Sequence, residues 1–178
     1  MNAYERMAKA ALPALPGDGA VLLDASPMSH HLAALLPADR ELIVVTNSFD
    51  VATMLSGRSK LELRVIGGQL RPGSSGVVGP WSQQALRTSF VEVAFVVADG
   101  VTAAAGASSA DEELAEFNRA VVAAARRVVV FADHTALGRT HPAVFAAPAA
   151  IDTIVTDEDA DPDLLREIAA AGPQPVVA

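Results

Sequence analysis

Leu63–Pro80 reads LRVIGGQLRPGSSGVVGP, an apolar run that stops at Gly67-Gly68, passes Arg71 in a glycine- and serine-rich loop, and turns apolar again at Val77. The pattern recurs at VVTNS (Val44–Ser48), VVADG (Val96–Gly100) and VVVFADHTALGR (Val128–Arg139), where β-branched residues give way to small or polar ones. Such runs are strands, and their mostly continuous apolar character, without polar alternation, means burial on both faces. The reading places strands at Ala20–Asp24, Glu41–Val45, Leu61–Ile66, Glu92–Ala98, Val128–Ala132 and Ile151–Thr156. Helical stretches alternate with them at Ser29–Leu36, Ser48–Ser56, Pro80–Leu86, Asp111–Ala125 and Asp161–Ala171. The alternation predicts an α/β fold with a mostly parallel central sheet.

Local chemistry marks several boundaries. Ser109 or Asp111 caps the long alanine-rich helix, and Asp161-Pro162 opens the last one, with Gly172 behind it. Arg126-Arg127 reads as a pair of cations at the end of the long helix, where the helix dipole favours positive charge. The opening MNAYERMAKAALPALPGDG sets Glu5, Arg6 and Lys9 on a helical period and reads as an amphipathic docking helix, not as a signal peptide. At the other end, Val176-Val177 reads equally as a short edge strand or as loop, because prolines flank it.

A chain of 178 residues, 51% hydrophobic, is expected to form one domain over residues 1–178. Without cysteine there is no disulfide framework, thiolate zinc site or cysteine nucleophile, which suits a reducing cytoplasm. The net charge of −8 repels phosphate backbones and anionic lipids, so this segment is expected to contact neither nucleic acid nor membrane. Nor does any apolar stretch reach the ~20 residues that span a bilayer.

Open parallel sheets bind ligands outside the carboxyl ends of their strands, where helix N-termini point inward. That selects Asp24 and Ser26, Thr46 and Asn47, Gly67, Gly68 and Arg71, Asp99, and Asp133, His134 and Arg139 as candidate ligand-binding residues. Each has a plain alternative. Gly67-Gly68 lets backbone amides approach an anion, but a tight turn needs the same glycines. Asn47 or Ser48 serves equally as a helix cap, and Arg71 grips either a ligand anion or a surface carboxylate. Aspartates at strand ends bind sugar hydroxyls, act as bases, or form turns. His30, His31, His134 and His141 lack metal-ligand spacing, and no metal is expected. There is also no G-x-S-x-G elbow, P-loop or G-x-G-x-x-G motif, so no cofactor is expected either.

In order and spacing, VVTNS, VIGGQLRPGSSGVVGPWSQQAL, AFVVADG, DEELAEFNRAVVAAARRVVVFADHTALGR and IDTIVTDE together resemble the C-terminal effector-sensing domain of DeoR-family transcriptional regulators, from about Tyr4 to Asp157. The resemblance implies a Rossmann-like three-layer sandwich of the ribose-5-phosphate isomerase and glucosamine-6-phosphate deaminase type. It also implies a sugar-phosphate effector, a homo-oligomer, and no catalysis. Residues that match the family's site pattern are Asp24, Thr46-Asn47, Gly67-Gly68 with Arg71, Gly79, Asp99-Gly100, Asp133 and Gly138-Arg139. The chain departs from that pattern in three places. Ala25-Ser26-Pro27-Met28 stands where the family has a glycine-threonine-threonine phosphate loop, Leu114 and Asn118 where it has Glu and Lys, and His134-Thr135-Ala136 where a Lys follows the strand. Each lost charged contact is worth about 1.5–3 kcal/mol of phosphate binding, leaving Arg71, Arg139 and His134 as anchors for a sugar phosphate or a related sugar derivative. A sugar-phosphate isomerase or deaminase and a ligand-free assembly module are the alternatives. The chain starts where such a sensor domain starts, so the expectation is a piece of a longer regulator whose winged helix-turn-helix, absent here, would contact DNA.

Overall fold

A computed structural model describes residues 2–178. The chain runs α1 (Ala3–Ala11), β1 (Gly19–Leu23), α2 (Pro27–Leu35), β2 (Leu42–Thr46), α3 (Phe49–Leu55), β3 (Glu62–Val65), β4 (Gln69–Leu70), β5 (Val77–Val78) and α4 (Pro80–Arg87). It continues with β6 (Val91–Val97), β7 (Gly100–Thr102), β8 (Gly106–Ser109), α5 (Glu112–Ala124), β9 (Ala125–Phe131), β10 (Ala143–Ala146), β11 (Thr153–Thr156), α6 (Pro162–Ala170) and β12 (Gln174–Val177). Seven strands form one sheet in the order β12-β11-β9-β6-β1-β2-β3, every neighbouring pair parallel. The expected α/β architecture is therefore present.

Burial on both faces of this sheet gives the three layers. Successive strand side chains point to opposite sides. Val21, Leu23, Val44, Val93, Phe95, Val129 and Phe131 face one core with Met7 of α1, Leu32 of α2 and Val51 and Leu55 of α3. Leu22, Val45, Ala94, Val96, Val128 and Val130 face the other core with Leu86 of α4, Phe117 and Val121 of α5 and Ile168 of α6. Each fully buried Leu, Val or Phe contributes about 1.5–3 kcal/mol, so continuous apolar strands sandwiched between helices are what these runs favour.

Several expectations need correction. Arg126 and Arg127 lie on β9 and do not end a helix, because Ala125 is already extended (φ −101°, ψ 141°). Arg126 pairs with Glu92 at 3.4 Å, and Arg127 donates to the Ala14 carbonyl at 3.0 Å. The third strand ends at Val65, without Ile66, and it is exposed where double-sided burial was expected, because β3 is the sheet edge. At the opposite edge Val176-Val177 does form a strand, and Pro175 sits there where a missing amide is tolerated. Two small antiparallel sheets went unread: the β4–β5 pair and β10-β8-β7. The docking helix is present as α1, capped by Asn2, with Met7, Ala8 and Ala11 buried.

Candidate functional site

The chain starts at β1 in the sheet centre, moves outward through β2 and β3, then returns to place β6 on the other side of β1. The crevice between β1 and β6 is thus the topological switch point, where loops diverge and leave space above the strand ends.

Asp24 follows β1 and is only 4% exposed. One carboxylate oxygen accepts hydrogen bonds from the Ser26 amide (3.1 Å), the Ser26 hydroxyl and the Ser29 hydroxyl (2.6 Å). The other accepts from the Val97 amide at 2.9 Å, tying β1 to the end of β6. Burial pushes the Asp24 pKa up, opposed by these hydrogen bonds. Ser26 then caps α2, accepting from the Ser29 amide at 3.2 Å, and Pro27 occupies the first helical position.

After β2, Thr46 is fully buried and accepts from the Ser48 amide at 3.1 Å, while Ser48 caps α3. Asn47 is 1% exposed. Its side-chain amide donates to the Val77 carbonyl at 2.8 Å, which fixes its orientation, and its Oδ1 is buried without a partner.

The Gly67-Gly68 turn has a packing role. A Cβ on Gly68 would collide with the Ser82 hydroxyl and lie 2.7 Å from the Val78 carbonyl, so the missing side chain lets α4 close on the turn. Ser82 also donates to the Gly67 carbonyl at 2.9 Å. Arg71, beyond the turn, is ion-paired with Asp111, the cap of α5, and lies 3.9 Å from Glu113. Burial alone would raise the Asp111 carboxyl, but the Leu114 amide, Arg71 and the Glu113 amide hold it below the usual range.

A cavity of about 240 Å³ sits at the switch point, lined by Asp24, Ser26, Asn47, Arg71, Asp99 and Leu114 among others. It shares Pro27, Val97 and Asp99 with a second recess of about 440 Å³ that also reaches Tyr4, Met7, Asp133 and His141. Five candidate residues thus meet around one cavity, and Asp133 lies in its neighbour. Thr46 is buried below, Gly68 lines a separate groove beside Trp81, and Gly67 lines none of these spaces. Asp99 holds one oxygen on the Ser109 hydroxyl (3.0 Å) and the Ala110 amide (2.9 Å).

His134 and Arg139 lie outside the cavity. The His134 ring bonds to Asp157 at 2.9 Å, a contact that raises the His134 pKa. His134, Asp157 and Asp159 bring possible ligand atoms within 4.8 Å of one another, and the hydrogen bonds among them account for the grouping. The exposed Arg139 presses its carbonyl against Gly100, where a Cβ would lie 2.5 Å away. Leu114, which stands where the family has a Glu, and Gly76, in the loop after Arg71, also line the cavity. A Cβ at Gly76 would collide with Ala25.

Residues 1–158 match the family described as "DeoR C terminal sensor domain". The chain belongs to the DeoR sensor-domain family. Among relatives of this DeoR sensor domain, an "HTH-type transcriptional regulator GlpR" of Haloferax volcanii is 30% identical over 152 residues, covering 85% of this chain and 59% of the relative. An "HTH-type transcriptional repressor GlcR" of Bacillus subtilis is 31% identical over 137 residues, covering 77% and 52%. The DeoR sensor domain thus spans a little over half the length of these two relatives. In architecture it is similar to ribose 5 phosphate isomerase A from Neisseria gonorrhoeae, with a TM-score of 0.51 at 14% identity over 75% of this chain and 52% of that one. At that identity the likeness shows the Rossmann-like fold alone. On α5, where this chain carries Asn118, both amide atoms are buried without partners.

Proposed function

We propose that residues 1–178 form the effector-sensing part of a DeoR-type transcriptional repressor, and that the switch-point cavity receives a small polar metabolite of the sugar-derivative class. The carrying observation is the convergence of Asp24, Ser26, Asn47, Arg71 and Asp99 on one cavity of about 240 Å³. The domain would act by binding, without turnover, with DNA contacts made by a module outside this chain. An effector that binds only the folded state at a hundred times its Kd adds about 2.7 kcal/mol, or about 5–10 °C in Tm for a domain of this size. Thermal shifts with a panel of sugars and sugar phosphates test this. A shift of that order, abolished by Leu114→Trp filling the cavity while circular dichroism stays unchanged, is expected. No shift with any compound would refute the reading.

The proposal includes self-association along β3. That strand pairs only with β2, leaving its outer edge open among the described residues. Glu62 and Arg64, both exposed, flank Leu63. Antiparallel pairing with a second copy centred on Leu63 would set each Glu62 against the partner's Arg64, a self-complementary register. Light scattering should show a mass above the monomer, reduced by Glu62→Arg. A monomeric wild-type chain would refute it.

A further inference from the structure

The polar groups around the cavity are unevenly engaged. Several of its donors are already taken by the protein. The Ser26 amide and hydroxyl serve Asp24, the Asn47 amide serves Val77, and the Gly76 amide serves the Ser74 hydroxyl at 3.0 Å. Pro27 has no amide hydrogen, and the Ser29 amide is held by Ser26, so two of the first three positions of α2 offer no free amide where such turns elsewhere receive anions. Arg71, the one cation lining the cavity among the described residues, is already matched by Asp111 and Glu113.

Two of its acceptors, in contrast, remain open. Asn47 Oδ1 is buried with no partner, and leaving a buried acceptor unmade is costly. Asp99 has one oxygen engaged and the other without a partner among the described residues. A phosphate offers acceptors and negative charge to groups that already carry both. A hydroxyl or ammonium offers the missing donors.

We infer that the cavity is built for an unphosphorylated polyol or amino-polyol, which would donate to Asn47 Oδ1 and Asp99, and that it discriminates against the phosphorylated form of the same compound. This rests on the cavity being the effector site. It is a ligand preference set by residues of this chain: the Ala25-Ser26-Pro27 turn, and the Asp111 that neutralises Arg71.

The test is calorimetry on matched pairs, D-ribose against ribose 5-phosphate, glucosamine against glucosamine 6-phosphate and sorbitol against sorbitol 6-phosphate, with inorganic phosphate alone alongside. For any pair that binds, the free compound should bind about tenfold tighter or more, the worth of one mismatched charged contact. Asn47→Leu should remove binding of the free compound. Asp111→Asn, which keeps a competent helix cap, should release Arg71 and narrow the preference several-fold. Tighter binding of a phosphorylated member, or of inorganic phosphate, would overturn the inference and leave the effector site standing. An unchanged preference in Asp111→Asn would overturn the account of Arg71. Binding of no member would remove both the effector site and this inference.

Discussion

Replacing Gly68 by alanine separates packing from ligand binding at the glycine pair. The added Cβ would collide with the Ser82 hydroxyl and sit 2.7 Å from the Val78 carbonyl, a backbone atom held in the β4–β5 pair. The hydroxyl can rotate away at the loss of its bond to Gly67, but the carbonyl cannot yield without moving the strand. Overpacking of this kind costs about 1–3 kcal/mol. For a domain of this length that is about 2–12 °C in Tm. Gly67→Ala is the internal control. Nothing lies within 4 Å of its Cβ and its φ is not positive, so the substitution should be neutral or stabilising by up to about 1 kcal/mol through the unfolded state. Urea denaturation and calorimetric melting of both variants, with Ser82→Ala alone and combined with Gly68→Ala, complete a double-mutant cycle in which removing the hydroxyl recovers part of the loss. Equal stabilities for the two alanine variants, or a greater loss at Gly67, would refute the packing account.

Asp24→Ala should cost about 2–5 kcal/mol in urea denaturation, because it strands the Val97 amide and the Ser29 hydroxyl, and an unchanged midpoint would contradict the staple described for β1 and β6. Asn118→Leu should stabilise the fold by about 1–3 kcal/mol by removing a buried amide that has no partners; a lower melting temperature would show that those atoms are satisfied. His134 has a folded pKa above its ordinary 6.5, so its contribution is complete below 6.5 and fades as pH rises through the folded value. Urea midpoints should therefore decline across that window, and His134→Asn should flatten the decline while also weakening the acid limb, because the Asp157 carboxyl owes part of its depression to the His134 ring.

The main sheet was legible because its strands are runs of Val, Leu and Ile with helices between them, a pattern that double-sided burial imposes. The β7, β8 and β10 strands were not, because Gly100–Thr102, Gly106–Ser109 and Ala143–Ala146 are short and mostly small or polar. They pair through register with each other and carry no apolar period of their own. Arg126-Arg127 misled because an alanine-rich helix runs directly into a strand with no breaker between them. At the site, strand ends were readable from the loops, so Asp24, Asn47 and Asp99 could be named together. The pairing of Arg71 with Asp111 could not, because it joins residues 40 apart through the packing of α5. Nor could the contact of His134 with Asp157, residues 23 apart that β11 brings together.

The all-parallel ladder of the main sheet also has a kinetic consequence. No pair of its strands can zip from a hairpin, since each pairing closes a long loop before it gains a contact. Local antiparallel pairing is confined to β4–β5 and β7–β8. The Asp24 bond to the Val97 amide spans 73 residues and belongs to the seam where the early and late halves of the chain meet. The switch-point cavity therefore comes into being only when that seam closes, and a metabolite lodged there would hold the two halves together, coupling its concentration to how long the domain resists unfolding.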